Sequence, residues 1–521
     1  MVSAELSFSW FSHSLLLLAA SLFFTCIFIR IVYNLFWSPL SAIPGPWYAA
    51  VSDFWLTAHV LRLEQCKTIQ RLFEVYGPVV RVGPNKVVFR DITSARSVYS
   101  VHKFDKSPYY KSLLTNNNDH AMTTLEHASH AIRRKGYAPH YNLSNLAKFQ
   151  PEIHESIFEL VNALENIAGK TPLECLTLFR HLMVDVVSFT SYGHHASAVR
   201  KWAMDERDPL LTAINDFPKR GILRSAVPTW AWNLVCRIPS TRLRQLCDSD
   251  KILAEFVSAR VYEMRAQMSS AKITESDKIP MLQRLLQYRY SSKEKMPDHD
   301  IISECMGHLI AGADTTSTTL AYLFWELSRR ADIVKKLQAE LDETMPNSRN
   351  LPDISVMQEM PYLNAFIKEG LRLYTAAPSL LERVVPSASK TGSPDEVFDL
   401  MGYGLPAGTV VSTQAWSMHR DATVFHSPDT FMPERWLESF SNPEELMRMG
   451  QYMMPFGTGT RMCGGQNLAQ LMLKTIVAAL MRNFDVMAPP ETNEVSMEIK
   501  DSFVIFPAAM QCNLIFVPRQ D

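Results

Sequence analysis

Cys463 lies in the run Pro455-Phe456-Gly457-Thr458-Gly459-Thr460-Arg461-Met462-Cys463-Gly464-Gly465. A single cysteine is bracketed there by glycines, with an aromatic residue seven positions earlier and an arginine two earlier. This combination suits a thiolate that ligates a metal inside a tight backbone loop. Glycines let the chain approach closely and adopt positive φ, so backbone N–H groups can point at the sulfur. Arg461 adds a fixed cation for a nearby carboxylate. Two other readings compete, a structural buried cysteine and a phosphate-binding glycine loop. The second fails on spacing, because Met462 stands where a third glycine is needed and no strand–turn–helix is predicted around it. Gly169-Lys170-Thr171 fails likewise, with Leu164 where a P-loop needs glycine.

A second chemical cluster is Ala311-Gly312-Ala313-Asp314-Thr315-Thr316, inside a helix predicted from Asp298 to Ser328. Asp298, following Pro297, is placed to cap its first N–H groups. Small residues followed by Asp-Thr-Thr suit a helix interior poorly. One account is close helix packing, with hydroxyls bonding the i−4 carbonyls. The other is a local opening over a cofactor: Gly312 and Ala313 leave room for a diatomic ligand, and Thr315 and Asp314 deliver protons. Glu369-Gly370-Leu371-Arg372 sets opposite charges at i and i+3, a spacing common in solvated surface bridges. His127–Lys135 reads as a basic helix with Arg133 and Lys135 on a solvated face.

The cysteine run fills every specified position of Phe-x-x-Gly-x-Arg-x-Cys-x-Gly and resembles the haem-ligand loop of the cytochrome P450 superfamily. The helix cluster resembles that family's oxygen-activation motif. Glu369 and Arg372 look like its Glu-x-x-Arg pair, and Arg435, in Pro433-Glu434-Arg435-Trp436, like the third member of its charged triad. His130 and Arg134 take the places of a Trp-x-x-x-Arg, with His a departure from Trp. Arg383, before Val384-Val385-Pro386, resembles another propionate-binding arginine. The resemblance covers residues 39–521. It implies a triangular helical prism with a minor β domain, and haem b (iron protoporphyrin IX) ligated by Cys463 within a loop that includes Phe456 and Gly465. Arg134, Arg383, Arg461 and His130 would hold the haem propionates. It further implies O₂-dependent oxidation of a hydrophobic small molecule, with electrons from NADPH through a separate NADPH–cytochrome P450 reductase. No flavin or nicotinamide motif is visible. Alternatives are a haem-thiolate isomerase or dehydratase, against which the intact Asp314-Thr315 pair argues, and a haem carrier or sensor. Substrate contacts are expected from Lys106–Asp119, the helix face near Leu309 and Ala313, Ala376–Leu381, and the turn near Phe503.

These residues need a large framework. The chain has 521 residues, 47% of them hydrophobic, which is ample for a large core, and no linker or repeat divides residues 45–521. Helical period dominates. Val79–Val82 and Lys86–Phe89, around Gly83-Pro84-Asn85, read as a hairpin. Further strands are expected near Val384-Val385, Thr409–Ser412, Phe503–Phe506 and Leu514–Val517. The fold class is therefore mainly α with a small β region. A net charge of −1 without a basic tract argues against a nucleic-acid partner. The eight cysteines contain no Cys-x-x-Cys pair, which argues against zinc and disulfide frameworks and fits a reducing compartment. The sequon at Asn142 then goes unused.

Residues 1–14 read as a short tail and 15–36 as a transmembrane anchor. Leu15–Tyr33 would span about 28 Å at 1.5 Å per residue. The segment before it lacks Lys and Arg, which disfavours a cleaved signal peptide and puts the C-terminal side in the cytosol. Residues 37–46, with Pro39, Pro44 and Pro46, form a stiff hinge that is similar to those of fungal microsomal relatives. Residues 47–521 form the haem-binding catalytic domain, expected on the endoplasmic reticulum membrane in fungal terpenoid or polyketide-type secondary metabolism. Trp230 and Trp232, in a predicted loop, are either a second interfacial contact or core residues.

Overall fold

A computed structural model describes residues 2–206, 208–227, 229–270, 278–387 and 397–519, with the backbone alone at 2–14, 229 and 230. Helix α1 (Val2–Val32) begins within the segment read as a tail and passes into a π-turn at Tyr33–Trp37. From Leu15 the side chains of α1 face outward, and burial begins only past its end, at Asn34.

The chain leaves α1 clamped rather than free. Arg81, only 3% exposed, donates to the Asn34 carbonyl at 2.7 Å and to Pro84 and Gly83. Its own N–H donates to the Pro44 carbonyl at 2.8 Å. Gly45 permits this approach, since a Cβ there would lie 2.4 Å from the Arg81 carbonyl oxygen.

The predicted hairpin forms β1 (Val79–Gly83) and β2 (Lys86–Phe89), with an irregularity between Arg81 and Gly83. Two-residue strands β3 (Asp105–Lys106) and β4 (Arg383–Val384) join β5 (Val410–Ser412) in one sheet ordered β1-β2-β5-β4-β3. Only β2–β5 is parallel, so the sheet brings residues 79–106 beside 383–412. The C-terminal strands are Ile505–Pro507, shifted from the expected Phe503–Phe506, and Asn513–Pro518.

The helical body follows. Its main members are α2 (His127–Tyr137), α3 (Cys175–Tyr192), α4 (Pro209–Ala226), α5 (Thr241–Ser269), α6 (Asp298–Arg329), α7 (Pro361–Leu373) and α8 (Gln466–Asn483). At 32 residues α6 crosses the whole body, about 48 Å. It stays helical through 311–316 without the expected local opening, and the Thr315 hydroxyl donates to the Ala311 carbonyl at 2.7 Å. Gly312 serves packing, because a Cβ there would lie 2.9 Å from a Val187 methyl on α3.

Three local expectations are corrected. Asp298 is the first helical residue, with Pro297 at the cap, and its carboxylate takes Arg265 instead. Arg133 is not solvated: it pairs with Asp300 at 2.6 Å and approaches Glu304 at 3.6 Å, because α2 lies against the N-terminal half of α6. Trp232 lies in a short helix, Thr229–Val235, and is buried beside Arg220, so it is a core residue. The Trp230 side chain lies outside the described residues.

Candidate active site

The Cys463 loop passes twice through the left-handed region, at Gly457 (φ 73°) and Gly459 (φ 70°). Gly459 has no alternative, since a Cβ there would lie 2.2 Å from the Tyr99 carbonyl oxygen. The Cys463 N–H closes the loop onto the Phe456 carbonyl at 2.8 Å. Helix α8 starts three residues later, at Gln466. The cysteine opens on an internal cavity of about 370 Å³ that Phe456, Arg461 and Gly465 also line. Its side chain is exposed, and it is to this cavity that it opens. Burial pushes its thiol up, while the Gly465 N–H and the charge of Arg134 pull it down. A metal at the sulfur reverses that balance, because a coordinating thiol is deprotonated outright.

Helix α6 supplies another wall through Ile310, Ala311, Gly312, Asp314, Thr315 and Thr316. Leu309 and Ala313, expected at the substrate, belong to the core. The cavity faces the helix one phase away, so Ala311 meets it instead. Asp314 pairs with Arg180 of α3 at 2.9 Å. Other lining comes from segments expected at the substrate, including Tyr109, Leu113, Ala376, Leu381 and Phe503, and from Phe217 and Ile222 of α4.

One rim of the cavity is cationic. His130, Arg383 and Arg461 line it, and His130 and Arg383 are buried. Arg461 donates to the Thr124 and Leu125 carbonyls at 2.8 and 2.6 Å, and its buried Nε has no partner among the described residues. Burial and the neighbouring Arg383 hold its guanidinium down to about 10. Burial, then Arg461, Lys106 and Arg134, push the His130 imidazole down to about 2, so it is neutral at physiological pH. Arg134 stands apart from the lining and grips the loop from outside, donating to the Met462 carbonyl at 2.6 Å.

Glu369, Arg372 and Arg435 come together with at most 2% exposure each. The surface-bridge alternative therefore fails. Glu369 accepts from Arg372 Nη2 and Nε (2.8 and 2.9 Å), Arg435 Nε (3.0 Å), the Trp436 indole (2.9 Å) and the Met432 N–H (2.9 Å). The arginines spend their remaining donors on carbonyls of His419, His426, Ser427, Pro428 and Thr430. His419 carries the network onward: its Nε2 accepts from the Met454 N–H at 2.8 Å, one residue before the cysteine loop begins. Burial and the adjacent Arg420 and Arg372 press its imidazole down to about 3, keeping Nε2 an acceptor.

Sequence reasoning missed several residues of the site. Arg180, which holds Asp314 from behind the lining, carried one signal, a lone Arg between Leu176 and Val187. Glu304, His308 and Tyr141 form a polar corner, with the Tyr141 hydroxyl 2.8 Å from His308 Nδ1 and Glu304 3.3 Å from His308 Nε2. Glu304 and His308 are an i,i+4 pair on α6, a helical spacing present in the sequence, whereas Tyr141 comes from a distant segment and nothing in its spacing joins it to them.

A family profile described as Cytochrome P450 matches residues 44–514. The chain is 28% identical to the cytochrome P450 monooxygenase cypX of Dothistroma septosporum, over 94% of this chain and 93% of that protein. It is 29% identical to the cytochrome P450 monooxygenase aflV of Aspergillus parasiticus, over 93% and 92%. It is 28% identical to the cytochrome P450 monooxygenase stcB of Emericella nidulans, over 91% and 87%.

Proposed function

The chain belongs to the cytochrome P450 family of monooxygenases, and from that premise we propose that it oxidises a hydrophobic small molecule at a haem b held by Cys463. One observation carries the proposal. A cavity of about 370 Å³ is lined at once by the Cys463 thiol, by Thr315 and by a cationic rim. The residues present fit the group. The sulfur would offer the group a soft thiolate ligand, and the Arg461 Nε, without a partner among the described residues, would donate to an anion. Arg383 and neutral His130 are further donors for the propionates, and Arg134 holds the loop and the charge beside the sulfur. Thiolate-ligated haem supplies O₂ activation, with electron density pushed toward O–O cleavage.

The chain's own residues supply access, orientation and protons. Tyr109, Leu113, Phe217, Leu381 and Phe503 give the substrate an apolar surround. Asp314 and Thr315 deliver protons in this reading, the Asp314 carboxylate as an acceptor that passes a proton on and the Thr315 hydroxyl as the donor. Arg180 holds the Asp314 carboxylate one residue from the Thr315 hydroxyl, which rests on the Ala311 carbonyl. Releasing that rest bond turns the Thr315 O–H toward the cavity. Glu369, Arg372 and Arg435 support the loop through His419. Electrons come from NADPH through a separate reductase. The apolar lining and the fungal relatives support a terpenoid or polyketide-type substrate of secondary metabolism. The apolar helix α1 supports a single-pass anchor in the endoplasmic reticulum with a cytosolic catalytic domain.

Thr315→Ala tests the proton assignment. It leaves Cys463 and the cationic rim untouched, so the carbon monoxide spectrum of the reduced protein should stay normal. Product per NADPH should fall by roughly 10²-fold or more, the scale of a positioned acid, with reducing equivalents appearing as peroxide or water. Unchanged coupling would remove Thr315 from the mechanism. An isomerase or carrier would show no substrate-dependent NADPH consumption even before mutation.

Deleting residues 1–36 tests the anchor. Most of the protein should move to the soluble fraction after a carbonate wash, although exposed Trp37, Trp47 and Phe54 leave an apolar edge behind. A truncated chain retained wholly on membranes would contradict a single anchor.

A further inference from the structure

Lys106 was expected in the substrate loop, but its surroundings assign it elsewhere. It sits on β3 directly opposite Arg383 of β4, so two cations are cross-strand partners. Like charges in that relation destabilise a sheet. Neither is relieved by solvent, since Lys106 is 8% exposed and Arg383 3%. Arg461 completes the group: its field and that of Arg383, after burial itself, depress the Lys106 ammonium well below its usual range.

The hydrogen bonds of these cations do not neutralise them. Lys106 Nζ donates to the Met122 carbonyl at 2.7 Å and lies 4.3 Å over the Tyr110 ring. Arg383 donates to the Glu382 carbonyl at 2.8 Å and lies over the Tyr99 ring. Arg461 uses two carbonyls and keeps its Nε unpartnered among the described residues. None of the three forms an ion pair with a described residue. The nearby carboxylates are engaged: Glu382 accepts from Ser107, and Asp105 accepts the His127 N–H at 2.8 Å while exerting a favourable field on Arg461. All three cations line the cavity that Cys463 opens on. A strand pair that sets unneutralised cations side by side, away from water, is built for an anion that arrives later.

We propose that Lys106 is a ligand of the haem propionates, sharing them with Arg383 and Arg461, and not a substrate contact. The proposal rests on the haem reading above. It also accounts for the neutral His130, because the charge needed at the propionates is already supplied from β3, β4 and the cysteine loop.

The test uses the full haem-loaded chain and three variants. Lys106→Met removes charge and hydrogen bond, Lys106→Gln keeps a donor for the Met122 carbonyl without charge, and Lys106→Arg keeps the charge. Haem transfer to excess apomyoglobin is followed by absorbance, and urea unfolding is recorded on the haem-free chains. Both neutral variants should lose haem roughly tenfold faster or more, the scale of a lost charge-assisted bond, with Lys106→Arg close to wild type. The haem-free neutral variants should unfold at the same or higher urea, because a buried unneutralised cation is gone. Wild-type haem retention in Lys106→Gln, with only substrate affinity altered, would overturn the proposal. A wild-type chain that binds no haem would instead overturn the cofactor reading, before any variant is compared.

Discussion

Replacing Cys463 by alanine should abolish the strongly red-shifted Soret band of the reduced carbon monoxide complex, together with all product formation. The band requires a thiolate ligand, and no other cysteine is placed to supply one. Of the remaining cysteines, Cys66, Cys175, Cys305 and Cys512 are buried, and neither they nor Cys26, Cys236 and Cys247 line the cavity. The loop itself should survive. Its shape rests on Gly457, Gly459 and the Cys463 N–H to Phe456 carbonyl bond, all of which alanine keeps. The cationic rim is also intact, so some haem should still enter, giving a spectrum without the red shift. Survival of the shifted band in Cys463→Ala would show that the ligand lies elsewhere.

Glu369→Ala should cost about 3–5 kcal/mol of stability, the range for removing one partner of a buried charge network. Among the described residues the carboxylate is the only acid bonded to Arg372 and Arg435, and both guanidinium groups are buried. Without it both charges stay buried, and the Trp436 indole and Met432 N–H also lose their acceptor. Glu369→Gln should recover little, since it keeps shape but not charge. High salt should not mask the loss, because the site is closed to ions. Urea unfolding of the purified variants measures this. The damage should also reach the cofactor early, because the Arg372–His419–Met454 bonds run from this network to the cysteine loop. The thiolate spectrum should therefore decay at lower urea than helical circular dichroism. A Glu369→Gln variant within about 0.5 kcal/mol of wild type would place it among ordinary surface substitutions and end the argument for a load-carrying network.

The parts of this fold that sequence makes legible are those whose causes are local. Val79–Val82 and Lys86–Phe89 alternate β-branched residues around a turn tripeptide, and they pair as read. The cysteine loop is legible because its glycines are needed within a few residues of the sulfur. Phase around α6 is not legible. Small residues lie on both sides of it, so Ala313 and Ala311 look alike until α3 claims one face through Val187. Arg133 looked solvated because its partners, Asp300 and Glu304, lie far along the chain. Lys106 looked like a loop residue because a two-residue strand has no period to detect. Its meaning comes from Arg383, 277 positions later in sequence.

Arg81 has a consequence for how the molecule meets its substrate. A lone apolar helix followed by loose chain would let the catalytic body tumble above the lipid. Here the Arg81 side chain fastens the Asn34 carbonyl and its N–H the Pro44 carbonyl, both to a strand of the main sheet. With α1 seated in a bilayer, the body is carried like a head on a stiff neck. Its tilt and azimuth over the lipid are inherited from the helix. A compound dissolved in the membrane then meets one fixed side of the protein at every encounter, and the search for the cavity becomes two-dimensional.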